Sequence, residues 1–291
     1  MSIATFERNI SVKNDSSEGI ANALPASAND IRAGMYRRLP ASLQPFLTWL
    51  TARPAPGEAA RPRTAMFHVV TAFGTLGAGV ALSFLALHLS GFWLAALPFL
   101  LILSASGMGK LQAVVFHHCA HGTVFRKRET NRLVGETISI LLLMKHFDVY
   151  QHEHMLHHSP NKLLTHEDEF TQFVMNLAGL RPGLPKPVLW RRVIISFVSP
   201  FFHLRFLLAR VSACLLSHST AHNLIGWAAW GGLFHLVWLT GTWTEVAVAW
   251  LLPVTVLLQI GTALRTLCEH RFPEQEVIDA RGKTFVCLAT A

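Results

Sequence analysis

Two short stretches gather imidazoles where chemistry can be done. VVFHHCAHGTVFRKR (114–128) carries His117, His118 and His121 within five residues, and YQHEHMLHHSPN (150–161) carries His152, His154, His157 and His158. Nine of the sixteen histidines fall between positions 117 and 166. Residues three or four apart share one face of a helix. His117 therefore pairs with His121, and His154 groups with His157 and His158, while His118 and His152 point elsewhere. Two such faces turned towards each other would converge five imidazoles. Neutral imidazole ligates iron, zinc, copper or nickel. The competing reading is a basic face that binds lipid phosphates, but unperturbed histidine is mostly uncharged at neutral pH, so Lys or Arg would serve that purpose better. His68, His88 and His235, scattered singly through apolar stretches, read as packed side chains. Cys119, inside the first cluster, reads as a small packing residue, and the four cysteines show no paired spacing for a disulfide framework or a thiolate metal site.

The elements that must position these histidines are apolar. Of 291 residues, 51% are hydrophobic and 14% charged, with a mean hydropathy of +0.36, which places the chain in the membrane class. Eight Trp and nineteen Phe against two Tyr suit lipid-facing and interfacial surfaces. The net charge of +8 comes from Lys and Arg flanking apolar segments, so anionic membrane lipid is the expected partner rather than nucleic acid. From Thr64 to Gly109 there is no Asp, Glu, Lys or Arg. One crossing needs roughly 20 residues, and LSGFW (89–93) offers a turn in the middle, so this run predicts a hairpin of spans at about 66–88 and 92–110. The second of these is expected to continue as a helix towards His117 and His121. Two further apolar runs predict spans at about 223–241 and 246–264, joined by TWTE (242–245).

The fold class expected is thus an all-α integral membrane protein: four transmembrane helices in two hairpins, with a cytoplasmic or interfacial helical region carrying the histidines between them. The two turns lack Lys and Arg, whereas basic residues cluster on the other side. By the positive-inside rule, both termini and the histidines face the cytoplasm. Residues 1–34 read as a disordered tail with no apolar core of a signal peptide, 35–63 as an interfacial segment and linker, and 64–291 as the membrane domain. LWRRVIISFVSPFFHLRFLLARVSACLL (189–216), punctuated by four arginines, predicts a helix in the interface plane, with a buried core helix as the alternative.

The motifs HHCAH and HEHMLHH, with their spacing of about thirty residues between the two hairpins, resemble the first two histidine boxes, HxxxH and HxxHH, of the integral-membrane fatty acid desaturases. RTLCEHR (265–271) resembles the segment after the last span that supplies a further ligand. The resemblance covers about residues 65–291. It implies a non-haem di-iron centre held by His117, His121, His154, His157, His158 and His270. The acidic run THEDEF (165–170) implies outer carboxylates among Glu167, Asp168 and Glu169, Asp168 or Glu169 being favoured by the match, that orient the imidazoles, with Asn161 as a further candidate and a solvated acidic loop as the alternative. The family's third box, HxxHH or QxxHH, has no counterpart before KTFVCLATA (283–291). A C-terminally incomplete domain is therefore expected, or a substitute pair such as His218 and His222 in SHSTAH.

Two irons and dioxygen are then the expected cofactors, and O2-dependent insertion of a double bond into a fatty acyl chain is the expected reaction, within lipid metabolism and fatty acid biosynthesis. A hydroxylase, ketolase or acetylenase would use the same boxes, and an inactive truncated relative is a further alternative. Without a dinucleotide, flavin or haem motif in the sequence, the electrons should come from a ferredoxin- or cytochrome-type donor. Arg126, Lys127, Arg128, Arg191 and Arg192 are candidates for an anionic substrate headgroup, with simple topology charges as the alternative. A histidine-rich metal transporter belongs to a different class; transporters place ligands at the midplane of their spans, whereas these clusters lie beyond the span ends.

Overall fold

The computed structural model describes residues 40–43, 45, 64–157, 169–181, 183–216 and 220–268, and among them there is no strand. A 3-10 turn at Ala41–Leu43 belongs to one compact unit; the described residues from Thr64 onward belong to another. Residues 1–34 and most of 35–63, expected to form a disordered tail and an interfacial segment, lie outside the described residues.

Helix α1, Ala65–Leu89, is started by Thr64, whose Oγ1 accepts the Phe67 N–H at 3.1 Å. It ends at Ser90 and Gly91, both at positive φ (52° and 59°). Helix α2, Gly91–Ala120, then runs back alongside it. The two backbones touch at glycine. A Cβ on Gly79 would sit 2.5 Å from the Ser104 nitrogen, and one on Gly107 would sit 2.4 Å from the Leu76 nitrogen. Where lipid removes the hydrophobic drive between helices, such small-residue contacts hold them together. Lys110, at the foot of the hairpin, donates to Thr71 Oγ1 and lies over the Phe67 ring.

As expected of the second span, predicted at 92–110, α2 continues unbroken for ten more residues towards the histidines. Its stretch Leu111–Phe116 is π-helical, and the final turn His117–Ala120 is α-helical again. The first histidine motif is therefore the end of the second apolar helix itself. Helix α3, Arg128–Leu141, and helix α4, Phe147–His157, pack beneath it. Phe116 of α2 meets Phe147 edge to face (centroids 5.5 Å apart), and Met108, Leu111, Ile138, Leu142 and Leu258 close the same core.

Helix α5 spans Glu169–Leu177, α6 Lys186–Val198 and α7 Pro200–Leu215. The single interfacial helix expected over 189–216 is two helices meeting at 73°. Pro200 has no N–H and pushes Ser199 into an extended conformation (φ −81°, ψ 116°), which breaks the run there. Ile194, Ile195, Val198, Phe201, Leu204 and Leu208 are all exposed, so this bent pair presents an apolar face outward, and Arg210 turns inward.

Helix α8 is Thr220–Thr240 and α9 is Trp243–Leu267. Among the described residues three helices, α1, α2 and α9, are long and apolar enough to cross a membrane, and the bent pair α6 and α7 qualifies as a fourth only when taken together. Helix α8, the third span expected from sequence, is about 30 Å long but is interrupted by His222, Asn223 and His235.

Candidate metal centre

The last turn of α2 and the middle of α4 bring three imidazoles together. His117 and His121 lie one turn apart, with ring centroids at 4.9 Å. His154 of α4 lies across from both, at 4.4 Å from His117 and 5.0 Å from His121. One ring nitrogen of each lies within 4.8 Å of the other two. The Nε2 atoms of His121 and His154 face each other at 3.1 Å. Two lone pairs at that distance repel unless a proton or a cation lies between them. Ligands about 2.0–2.1 Å from a common metal stand roughly 3 Å apart at the edge of a coordination sphere, so this donor set fits a metal. Burial, with a smaller effect from the like charge of His118, pushes the His121 imidazole below its ordinary pKa. That favours the neutral form, the one that ligates.

Neighbours fix the three rings. Tyr150, one turn before His154, stacks on it almost parallel (8°, centroids 5.1 Å). Gln151 Nε2 donates to the Ala120 carbonyl at 2.6 Å, tying α4 to the end of α2. Buried Asn131 donates to the carbonyls of Phe125 (2.7 Å) and Lys127 (3.0 Å), and accepts the Phe125 N–H, which sets the loop after His121. Gln151→Leu should remove the α2–α4 tie and leave the Ala120 carbonyl unpaired, at a cost of about 1–3 kcal/mol. The expected outcome is a lower unfolding midpoint and faster metal release, read by thermal unfolding and by chelator challenge.

As expected from spacing, His118 and His152 are exposed, and His118 Nδ1 lies 3.1 Å from Thr123 Oγ1. His157 ends α4; its side chain, together with His158, Asn161, Asp168 and His270, lies outside the described residues, as does the side chain of Glu169. His68, His88 and His235 join no metal-capable group among the described residues.

Two cavities flank the cluster. One, of about 740 Å³, lies beside His121 and is lined by Arg126, Arg128, Glu129, Arg132, Asp148 and Gln151, among others. Arg132 and Asp148 there form a two-point pair (3.0 and 2.7 Å). The other, of about 440 Å³, opens on His117, Tyr150 and His154 and has a largely apolar wall of Met144, Phe173, Val174, Phe206, Ala209 and Ala213. Of the five suggested headgroup cations, Arg126 and Arg128 line the first cavity; Lys127, Arg191 and Arg192 line neither. Arg192 is engaged with the Gly179 carbonyl.

Sequence reasoning missed a second polar cluster. Glu136 of α3 has His146 Nε2 3.2 Å from one carboxylate oxygen and His222 Nδ1 2.7 Å from the other. His222 thus joins Glu136 and His146 rather than the histidines of α2 and α4; His218, its suggested partner, lies outside the described residues. All three residues are of metal-ligating type, but the polarity is wrong for a metal. The Asp148 N–H points at His146 Nδ1 (3.2 Å), which leaves the proton of a neutral ring on Nε2, facing Glu136. A ligating histidine has the reverse arrangement, with its far nitrogen donating. The cluster links α3, the residue just before α4, and α8.

Residues 92–287 match the model of the family described as Fatty acid desaturase. No curated protein and no solved structure matches the chain.

Proposed function

The chain belongs to the fatty acid desaturase family, and from that premise we propose that it inserts a double bond into a fatty acyl chain at a centre built on His117, His121 and His154. His157, His158 and His270 complete the proposed ligand set for two irons, and Asp168, Glu169 and Asn161 are the proposed outer partners of those imidazoles. The observation that carries the reading is the convergence of three imidazoles from two helices at the end of an apolar helix, beside an apolar cavity.

When bound, the irons with dioxygen supply the oxidising power to take hydrogen from an unactivated methylene, which no side chain can do. The overall change balances as –CH2–CH2– plus O2, two electrons and two protons giving –CH=CH– plus two waters. The protein's part is placement. Met144, Phe173, Val174 and Phe206 give an alkyl chain an apolar wall that excludes water, and His117 and His154 lie on the same cavity. A misplacement of about 1 Å costs on the order of a hundredfold in rate, so the Tyr150 stack and the Gln151 tie serve the reaction by fixing the rings.

We place α1 with α2 and α8 with α9 as two hairpins crossing the membrane, with the histidines and both termini on the cytoplasmic side. Basic residues on that side and their absence from the turns support the arrangement. The electrons are assigned to a ferredoxin- or cytochrome-type donor approaching the cleft beside His121. Arg126 and Arg128 there remain the surface cations suited to an anionic group.

The test is acyl-lipid analysis of a host expressing the gene, together with metal analysis of the purified protein. Two irons per chain and new unsaturated acyl chains are expected. Hydroxylated chains in their place would reassign the reaction to a hydroxylase, and zinc without iron would overturn the redox reading.

A further inference from the structure

Arg210 is a charged side chain buried beside the candidate centre, and nothing in the metal reading uses it. It is 8% exposed and lies on the wall of the 440 Å³ cavity that also holds His117 and His154. Its Nε donates to the Leu143 carbonyl (3.1 Å) and its Nη2 to the Leu142 carbonyl (2.6 Å). These carbonyls belong to the C-cap of α3 and the residue after it, where a cation is favoured by the helix dipole. A guanidinium carries five N–H donors, so these two bonds leave three for other acceptors. Among the described residues no carboxylate pairs with Arg210. Lys145, on the same cavity, is by contrast neutralised by Glu153, at 2.7 and 2.6 Å. A buried charge is costly unless it is paired, and here the pairing is completed only in part by carbonyls.

Resting on the desaturase reading, we infer that Arg210 is the receptor for the carboxylate of an unesterified acyl chain, bound within the cavity with its alkyl portion against Phe173, Val174 and Phe206. Guanidinium and carboxylate match in charge and in planar, two-point geometry. The small residues Ala209 and Ala213, flanking Arg210 on α7, leave space on the wall around the charge. The acyl end is then recognised inside the protein rather than by surface cations such as Arg126 and Arg128. Carbons near the carboxyl end share one cavity with His117 and His154.

The test measures binding of palmitate, methyl palmitate and palmitoyl-CoA to the purified full-length protein in an uncharged detergent. Palmitate is expected to bind about tenfold or more tightly than the methyl ester. Arg210→Gln should erase that preference, and Arg210→Lys should keep part of it. Equal affinity for acid and ester, a preference for the CoA thioester, or an undiminished acid preference in folded Arg210→Gln would each overturn the assignment. Should Arg210→Gln fail to fold through loss of the α3 cap, the acid and ester comparison on the native chain decides alone. Iron analysis of the same preparations separates the two readings. An iron-competent protein indifferent to the carboxylate sinks Arg210 alone, whereas a protein that prefers the acid but never takes up iron sinks the metal reading.

Discussion

His154→Ala protein is expected to fold, to lose iron and to form no unsaturated product. Among the described residues His154 is the imidazole by which α4 joins the cluster, and it lies within ligating distance of both His117 and His121. Loss of a partner that merely orients a ligand weakens metal binding roughly 10- to 100-fold; loss of a ligand should exceed that. The ring is only 9% exposed, so its truncation also leaves a small void and frees Tyr150 from its stack. Circular dichroism and size exclusion should therefore accompany the metal analysis. His118→Ala is the matched control: that ring is exposed beside Thr123, and its removal should leave iron content unchanged. Two irons per chain in His154→Ala protein would show that the centre lies elsewhere.

Gly107→Val is expected to give the second large effect, at a position with no chemistry. The atoms its Cβ would meet, Leu76 N at 2.4 Å and Leu76 Cα at 2.6 Å, are backbone and cannot rotate away. Helix α1 would have to move off α2, at a cost of about 1–3 kcal/mol or more for overpacking. His117 lies ten residues further along α2, about 15 Å, so the strain reaches the ligands through a continuous rod. A lower unfolding midpoint in detergent and reduced iron retention are both expected. Gly109→Val, two residues on, meets nothing within 4 Å and should behave like the parent protein. Equal midpoints for the two variants would show that the hairpin tolerates separation.

The hairpin was legible because a charge-free run from Thr64 to Gly109 with a turn in its middle has few other folded forms. The pairing of His117 with His121 followed from helical spacing alone, since both sit within one turn. Their meeting with His154 needed the further premise that α2 and α4 face each other, which the sequence does not state locally. The break at Pro200 carried its own signal, the missing N–H and the constraint on Ser199, yet the apolar run on either side read as one helix. Arg210 and the Glu136, His146, His222 group were illegible for a different reason. Their contacts join residues some ten to eighty-six positions apart, and nothing in the local pattern distinguishes a buried arginine from the exposed ones around it. Helix α8 shows the limit of hydropathy itself. Its histidines and Asn223 lower its average, although its length suits a crossing.

The wide stretch Leu111–Phe116 inside α2 has a consequence for how this chain can change. A helix of uniform pitch locks the direction of every side chain to every other, so no residue could be retuned at one end without re-aiming the opposite end. An interposed turn of different pitch works as a phase shifter. It sets the direction in which His117 and His121 meet α4 relative to the face on which Gly107 meets Leu76, while the rod itself stays continuous.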